Sequence, residues 1–152
     1  MRIAVYVMLL ISAAAIAAED PAVVETAKRT GWDINSVKEF YLKGCDSGRP
    51  NEQNICATYG FVEVDMQLNR TYSQLMSELK TKSSKSKLRD TQRVWVTFRD
   101  KACEFEADGY KGGRDYPTVV AGCKSGYTEI RIKQLKQFIG CDFNYGCPGV
   151  IE

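Results

Sequence analysis

Two long stretches without proline, each carrying apolar residues at helical spacing, constrain the fold of this chain more than any other feature. From about Glu52 to Lys80, spacings of four and three residues alternate, which places the stripe on one face of a helix. The members of this first stripe are Phe61, Asp65, Leu68, Tyr72, Leu75 and Leu79. A second stripe runs from about Ser86 to Asp108 and consists of Leu88, Thr91, Trp95, Phe98, Ala102 and Phe105. The sequence therefore predicts two long helices, joined by a polar turn over residues 81–87.

Shorter segments complete an all-helical prediction. Asp33 is placed to cap a short helix that continues through Lys43 and ends at Gly44. The glycine-rich run 109–117 ends the second long helix, and a third helical region follows over about 118–139. Its expected core residues are Ile130, Leu135 and Phe138. The predicted fold class is all-α: a small antiparallel helical bundle of three main helices and a short N-terminal helix, cross-linked by disulfides.

The first eighteen residues have the pattern of a secretory signal peptide. Met1-Arg2 provides a positive start, residues 3–16 form an uncharged apolar run, and Ala15-Ile16-Ala17 is a small-x-small cleavage motif. This run is shorter than the roughly 20 apolar residues of a membrane-spanning helix, so we expect cleavage after Ala17 or Ala18. The expected mature protein is a single domain over residues 19–152, without a membrane span, in the periplasm or secreted.

An exported chain with six cysteines is expected to form three disulfides. No pair has the C-x-x-C spacing, and a zinc site without histidine would need four thiolates, so metal binding is the weaker interpretation. Six cysteines allow about fifteen connectivities, and their order in the chain does not choose among them. Pairing between neighbours is the most economical arrangement: Cys45–Cys56, Cys103–Cys123 and Cys141–Cys147.

The chain contains no histidine, and this absence excludes several kinds of chemistry. It excludes a Ser–His or Cys–His nucleophile pair and a histidine metal ligand. The 21 Lys and Arg residues nearly balance the 19 Asp and Glu residues, which does not favour a nucleic-acid partner. Neither a phosphate-binding loop nor a carboxylate pair for acid–base catalysis stands out. We therefore predict that the protein is not an enzyme and binds neither a cofactor nor a metal.

Charged residues lie in or beside the predicted apolar stripes. Asp65 interrupts the first stripe, Arg99 follows Phe98, and Arg131 follows Ile130. Since an unpaired buried charge is very costly, these groups should pair with one another or reach water. Two interpretations remain, a polar cleft that binds a ligand and a structural ion-pair and hydrogen-bond network. We favour the structural network, whose predicted members are Asp65, Asn69, Gln92, Arg99 and Arg131, and we expect Asp100 and Glu104 to form a solvated face.

Several sequence blocks, in order, resemble a known family. They are DMQLNRTYSQL at 65–75, LRDTQRVWVTFRDKAC at 88–103, the Gly112-Gly113 loop, and Cys123 followed by TEIRIKQL at 128–135. Together they are similar to the lysozyme inhibitor LprI N-terminal domain family over about residues 54–138. The resemblance implies an exported helical domain and, for the namesake of the family, inhibition of lysozyme. This chain departs from the family in having Arg114 where the loop usually reads Gly-Gly-Ser, and it has no lipid-modified cysteine, although the namesake is a lipoprotein.

Two functional classes follow, both acting through a protein partner. The first is an inhibitor that occludes the cleft of a lysozyme or another cell-wall hydrolase, where catalytic carboxylates would attract basic and hydrogen-bonding groups. Its expected contact residues form the glycine-rich loop: Tyr110, Lys111, Arg114, Asp115 and Tyr116. The second class is an immunity protein against a toxin, or an envelope-binding module, without lysozyme inhibition. A structural interpretation of the loop, as a connection held by Cys103–Cys123, also remains open.

Overall fold

The computed structural model describes residues 19–43, 45 and 48–141, and all regular secondary structure in these ranges is helical. The helices are α1 (Pro21–Thr30), α2 (Ile34–Leu42), α3 (Pro50–Glu78), α4 (Lys82–Glu106) and α5 (Tyr116–Lys136), with one 3-10 turn at Asp108–Tyr110. The predicted all-α class is therefore confirmed. Two short helices precede the long ones, whereas the sequence predicted one. The predicted signal peptide, residues 1–18, lies outside the described residues.

Side-chain caps and prolines set the helix starts. Asp20 accepts a hydrogen bond from the Ala22 amide at 2.7 Å, and Asp33 accepts from the amides of Asn35 and Ser36, each at 3.0 Å. Prolines occupy the first turns of α1, α3 and α5, where the missing N–H costs no hydrogen bond. Thr81 caps α4 by accepting from the Ser84 amide, so α4 begins at Lys82. The turn predicted over residues 81–87 is therefore wrong, because residues 82–87 are helical.

Helix α3 contacts α1, α2 and α5, and two apolar clusters lie along it. The first cluster joins α1 and α2 to the beginning of α3 through Ala22, Val23, Val37, Ile55, Tyr59 and Val62. The second joins the rest of α3 to α5 through Leu68, Leu75, Ile132 and Leu135. Hydrogen bonds from Thr118 to Asn54 and from Gly140 to Glu78 lie at opposite ends of α3. Helices α3 and α5 therefore run in the same direction.

Helix α4 packs antiparallel to α5, and its buried face coincides only in part with the predicted stripe. Arg99 and Cys103 are its buried residues, while Phe98 is 55% exposed and Phe105 is 81% exposed. Ile130 of α5, also expected in the core, is 56% exposed. Leu88 and Trp95 of the predicted stripe do pack against the second apolar cluster, so the prediction is wrong for Phe98 and Phe105 but not for the whole stripe. The buried face is turned toward Arg99 and Cys103, because their pairing requirements outweigh the burial of these two rings.

Two disulfides connect the helices. Cys45 pairs with Cys56, with a Cα–Cα distance of 5.9 Å, and joins the segment after α2 to α3. Cys103 pairs with Cys123, with a Cα–Cα distance of 5.6 Å, and joins α4 to α5. Both pairings are those expected from the sequence, while the third, Cys141–Cys147, lies outside the described residues because Cys147 does. In the described part of the chain, no helix has both the length and the apolar character needed to cross a membrane.

Candidate functional site

The loop between α4 and α5 is a series of tight turns at one end of the molecule. Backbone amides of Tyr110, Lys111 and Gly113 donate to carbonyls three residues earlier, at 2.9, 3.0 and 2.9 Å. Gly112 has a φ of +80°, a conformation that favours glycine, and a Cβ on Gly113 would lie only 3.0 Å from the Tyr110 carbonyl oxygen. The two glycines therefore allow a compact tip that larger residues would distort.

The base of this loop is held by α3 as well as by a disulfide. Asn54 Nδ2 donates to the Arg114 carbonyl oxygen at 3.0 Å, and Thr118 Oγ1 donates to Asn54 Oδ1 at 2.5 Å. The Cys103–Cys123 bridge ties the two flanking helices together behind the loop. This role of Asn54 was not predictable from the sequence, since nothing in the spacing of α3 connects it with a loop sixty residues later.

The tip presents charged and aromatic side chains to solvent. Lys111, Arg114 and Asp115 are exposed, Tyr110 is 52% exposed, and Tyr116 is half-buried at the start of α5. Beside the tip lies a shallow concavity of 420 Å³, whose lining comprises Lys101, Glu104, Phe105, Asp108, Lys111 and Tyr116. The loop thus offers cations and aromatic surface on a braced backbone, an arrangement suited to contact with another protein.

Asp65 and Arg99 form an ion pair that links α3 to α4. Arg99 Nη1 donates to Asp65 Oδ1 at 3.0 Å and to Thr128 Oγ1 on α5 at 3.1 Å, and only 5% of Arg99 is exposed. Arg29 of α1 reaches the other carboxylate oxygen of Asp65 at 3.2 Å. Four helices therefore meet at one carboxylate and one guanidinium.

Asp100 completes the surroundings of Arg99. Its Oδ1 accepts from Arg99 Nε at 3.0 Å and lies 3.1 Å from Lys124 Nζ. The predicted solvated face of Asp100 and Glu104 is therefore wrong for Asp100, although Glu104 pairs with Lys101 at the surface. The Arg99 guanidinium also lies over the rings of Phe61 and Trp95, 5.1 and 5.4 Å from their centroids.

The other residues of the predicted network lie beside this cluster. Arg131 Nε donates to Gln92 Oε1 at 3.0 Å, its guanidinium lies 5.7 Å from the Trp95 centroid, and burial lowers the pKa of Arg131. Asn69 is exposed, and its side chain makes no hydrogen bond with the other described residues. Arg131 and Gln92 are therefore connected to Arg99 through the ring of Trp95, which both guanidiniums approach, and the side chain of Asn69 does not take part.

An open groove of 700 Å³ lies between α3 and α4 and brings four of the five predicted network residues to its walls: Asp65, Asn69, Gln92 and Arg99. Arg29 and Thr128, which sequence reasoning did not place in the network, approach the same carboxylate and guanidinium from α1 and α5. Among the residues that the structure describes, no group of three or more Cys, Asp or Glu side chains could hold a metal ion.

The fold and this site define a small helical domain whose described part contains two disulfides, an ion-pair network between the helices, and an exposed loop that carries Lys111 and Arg114 at one end. The chain belongs to the lysozyme inhibitor LprI family, which it matches over residues 45–135. It is also similar to an uncharacterized protein of Rhizobium meliloti (strain 1021), with 28% identity over 98 residues, covering 57% of this chain and 70% of that protein. No solved structure matches the chain.

Proposed function

We propose that this protein is an exported inhibitor of lysozyme that occludes the cleft of the enzyme with the loop Tyr110–Tyr116. In this proposal residues 1–18 are a signal peptide and residues 19–152 form one domain in the periplasm or outside the cell. Membership of the lysozyme inhibitor LprI family supports the partner class, and the two disulfides fit an oxidising compartment.

The exposed, braced tip of the loop is the observation that carries the proposed contact. A muramidase cleft contains catalytic carboxylates, and Lys111 and Arg114 would place cations between them. Because Asn54 and the neighbouring disulfide already order the base of the loop, binding costs less conformational entropy than it would for a free loop. Tyr110 adds an exposed aromatic ring of the kind that anchors protein interfaces.

The predicted network has a structural role in this proposal. Asp65 and Arg99 lie among the helices rather than at the tip, and their hydrogen-bonding groups are already engaged within the chain. We therefore assign Asp65, Gln92, Arg99 and Arg131 to holding the helices together. Asn69, which is exposed on the groove, is the member whose loss should matter least.

The test is a titration of lysozyme activity with oxidised protein against animal c-type and g-type enzymes and a bacterial muramidase. The double variant Lys111→Glu, Arg114→Glu should abolish inhibition and change the free energy of unfolding by less than about 1 kcal/mol, because both side chains are exposed. Arg70→Glu, an exposed charge reversal on α3, is the matched control and should inhibit like the wild type.

Inhibition that survives in the double variant would show that the loop is not the contact. Absence of inhibition by the folded wild-type protein, at large excess over all three enzymes, would favour an immunity or envelope-binding module instead. The nearly balanced charge of the chain favours this alternative, because it gives little electrostatic steering toward strongly basic animal lysozymes.

A further inference from the structure

The outward face of α4 is apolar and exposed. Val94 is 72% exposed, and with Phe98 and Phe105 it forms a stripe on the side of α4 opposite Arg99 and Cys103. Tyr127 of α5 holds Phe98 in an edge-to-face contact at 5.8 Å, so the aromatic ring has a defined position. A shallow depression of 610 Å³ lies beside Val94 and Phe98. Large apolar side chains exposed along one helix face favour an interaction site, although Lys101 lies between Phe98 and Phe105 on this face.

The charges along α4 are distributed against its own dipole. Residues 82–93 contain five basic residues and one acidic residue, whereas residues 94–106, the rest of α4, contain three acidic and two basic residues, and Asp108 follows in the 3-10 turn. The first turn has no acidic residue and the last turn no basic one, which is the reverse of the distribution that favours an isolated helix. A second helix running in the opposite direction would match this distribution along its whole length.

We propose that this face is the interface of a symmetric dimer in which α4 packs antiparallel against α4 of a second copy. The two-fold axis passes near Phe98, because the midpoints of two complementary charge pairs, Arg93 with Glu104 and Lys87 with Asp108, fall within one residue of it. Arg93 and Glu104 are eleven residues apart, about three helical turns, so they lie on the same flank of α4.

The same register pairs the apolar residues. Phe98 meets Phe98 of the other copy at the axis, and Thr91 of each copy faces Phe105 of the other. The two-fold axis places the same flank of α4 from both copies side by side. Arg93 of one copy therefore approaches Glu104 of the other, and this contact occurs twice.

The size of the face predicts a modest affinity. A helix of 25 residues is about 37 Å long and about 10 Å wide, so the face covers about 400 Å², below the roughly 800 Å² per partner of a standard interface. Tyr127 and Ile130 of α5 extend it. We therefore expect a dimer that forms at micromolar concentrations and weakens with added salt.

Sedimentation velocity over a concentration series of the oxidised protein tests this arrangement. Arg93→Glu alone and Glu104→Arg alone should each raise the dimer dissociation constant at least about tenfold, since each places like charges together twice. The double variant Arg93→Glu, Glu104→Arg should restore it to within about threefold of the wild type, because complementarity returns with the charges exchanged. Arg70→Glu should leave it unchanged.

Only antiparallel self-pairing predicts rescue by the double variant. A protein that stays monomeric up to millimolar concentration would overturn the proposal. Single variants that lose lysozyme inhibition without any change in self-association would assign the face to the enzyme instead. The proposal does not depend on lysozyme inhibition, because sedimentation measures the self-association of the protein in the absence of any enzyme.

Discussion

At the scale of single residues, Arg99 organises the centre of the molecule. Its guanidinium donates hydrogen bonds to Asp65 of α3, Asp100 of α4 and Thr128 of α5. The rings of Phe61 and Trp95 lie beside it. A buried guanidinium is tolerated only when its donors are satisfied, so each of these partners offsets part of its desolvation cost. The residue is therefore better placed to specify how the helices meet than to act on a ligand.

Replacing Asp65 tests this arrangement. Asp65→Ala should lower the free energy of unfolding by about 3 kcal/mol, because it leaves the buried Arg99 with Asp100 as its remaining carboxylate and removes one of the two carboxylate partners of Arg29. Denaturant unfolding measures the loss, and Asn69→Ala, one turn along α3, is the control with an expected change below about 0.5 kcal/mol. Equal stabilities of the two variants would mean that the ion pair contributes nothing.

Tyr59 should make the free energy of unfolding fall as the pH becomes alkaline. Burial raises the pKa of Tyr59, and Tyr41 and the carboxylates of Glu63 and Asp20 raise it further. Below about pH 10 the phenol is protonated in both folded and unfolded states; above it the unfolded state loses its proton first, so stability falls as pH rises. We expect this loss, up to about 1.4 kcal/mol per pH unit, to be absent in Tyr59→Phe.

Thermal melting between pH 8 and 11 measures the difference. The melting temperature of Tyr59→Phe should decline less steeply above pH 10 than that of the wild type. Tyr110→Phe, which changes an exposed tyrosine, should follow the wild-type curve. A Tyr59→Phe curve parallel to the wild type would contradict the pKa shift.

At the scale of elements, α4 shows how a helix with apolar residues on more than one side chooses its buried face. Cys103 must meet Cys123, and Arg99 must meet Asp65, and these two requirements fix the rotation of the helix. Phe105 and Val94 then point to solvent although their spacing is that of a core stripe. In α3, by contrast, the predicted positions Phe61, Leu68, Leu75 and Leu79 are all buried.

Substitutions on the two helices should therefore differ in effect. Phe105→Ser should change the free energy of unfolding by less than about 0.5 kcal/mol, measured at a dilution where the protein is monomeric, because the side chain is exposed. Leu75→Ala in the second cluster should lower it by about 2–5 kcal/mol. A large loss of unfolding free energy in Phe105→Ser would mean that Phe105 is buried, as the sequence predicted.

At the scale of the whole molecule, the described fold is larger than the region that matches the family. The match begins at Cys45, yet α1 and α2 cover Ile55, Tyr59 and Val62 on the first half of α3. Helix α1 also supplies Arg29 to the central network. The N-terminal helices are therefore part of the core in this protein and not an appendage to it.

Truncation tests this dependence. A chain that begins at Cys45 should lose cooperative thermal unfolding or melt at a much lower temperature, because the first apolar cluster would be left facing water. Val23→Ala, which removes apolar contact without removing a helix, should cost about 1–3 kcal/mol. Unchanged melting of the truncated chain would show that the matched region folds independently.

The sequence by itself determined the helical class, the bounds of the long helices to within a few residues and the family, and it favoured the two described disulfides without excluding other pairings. These properties depend on local spacing, on the proximity of cysteines along the chain, and on ordered motifs. The tertiary structure alone decided which face of α4 is buried, that Arg29 and Thr128 join Asp65 and Arg99, and that Asn54 braces the loop. Each of these outcomes depends on pairings between residues far apart in the chain, and helical periodicity carries no information about which helix lies opposite.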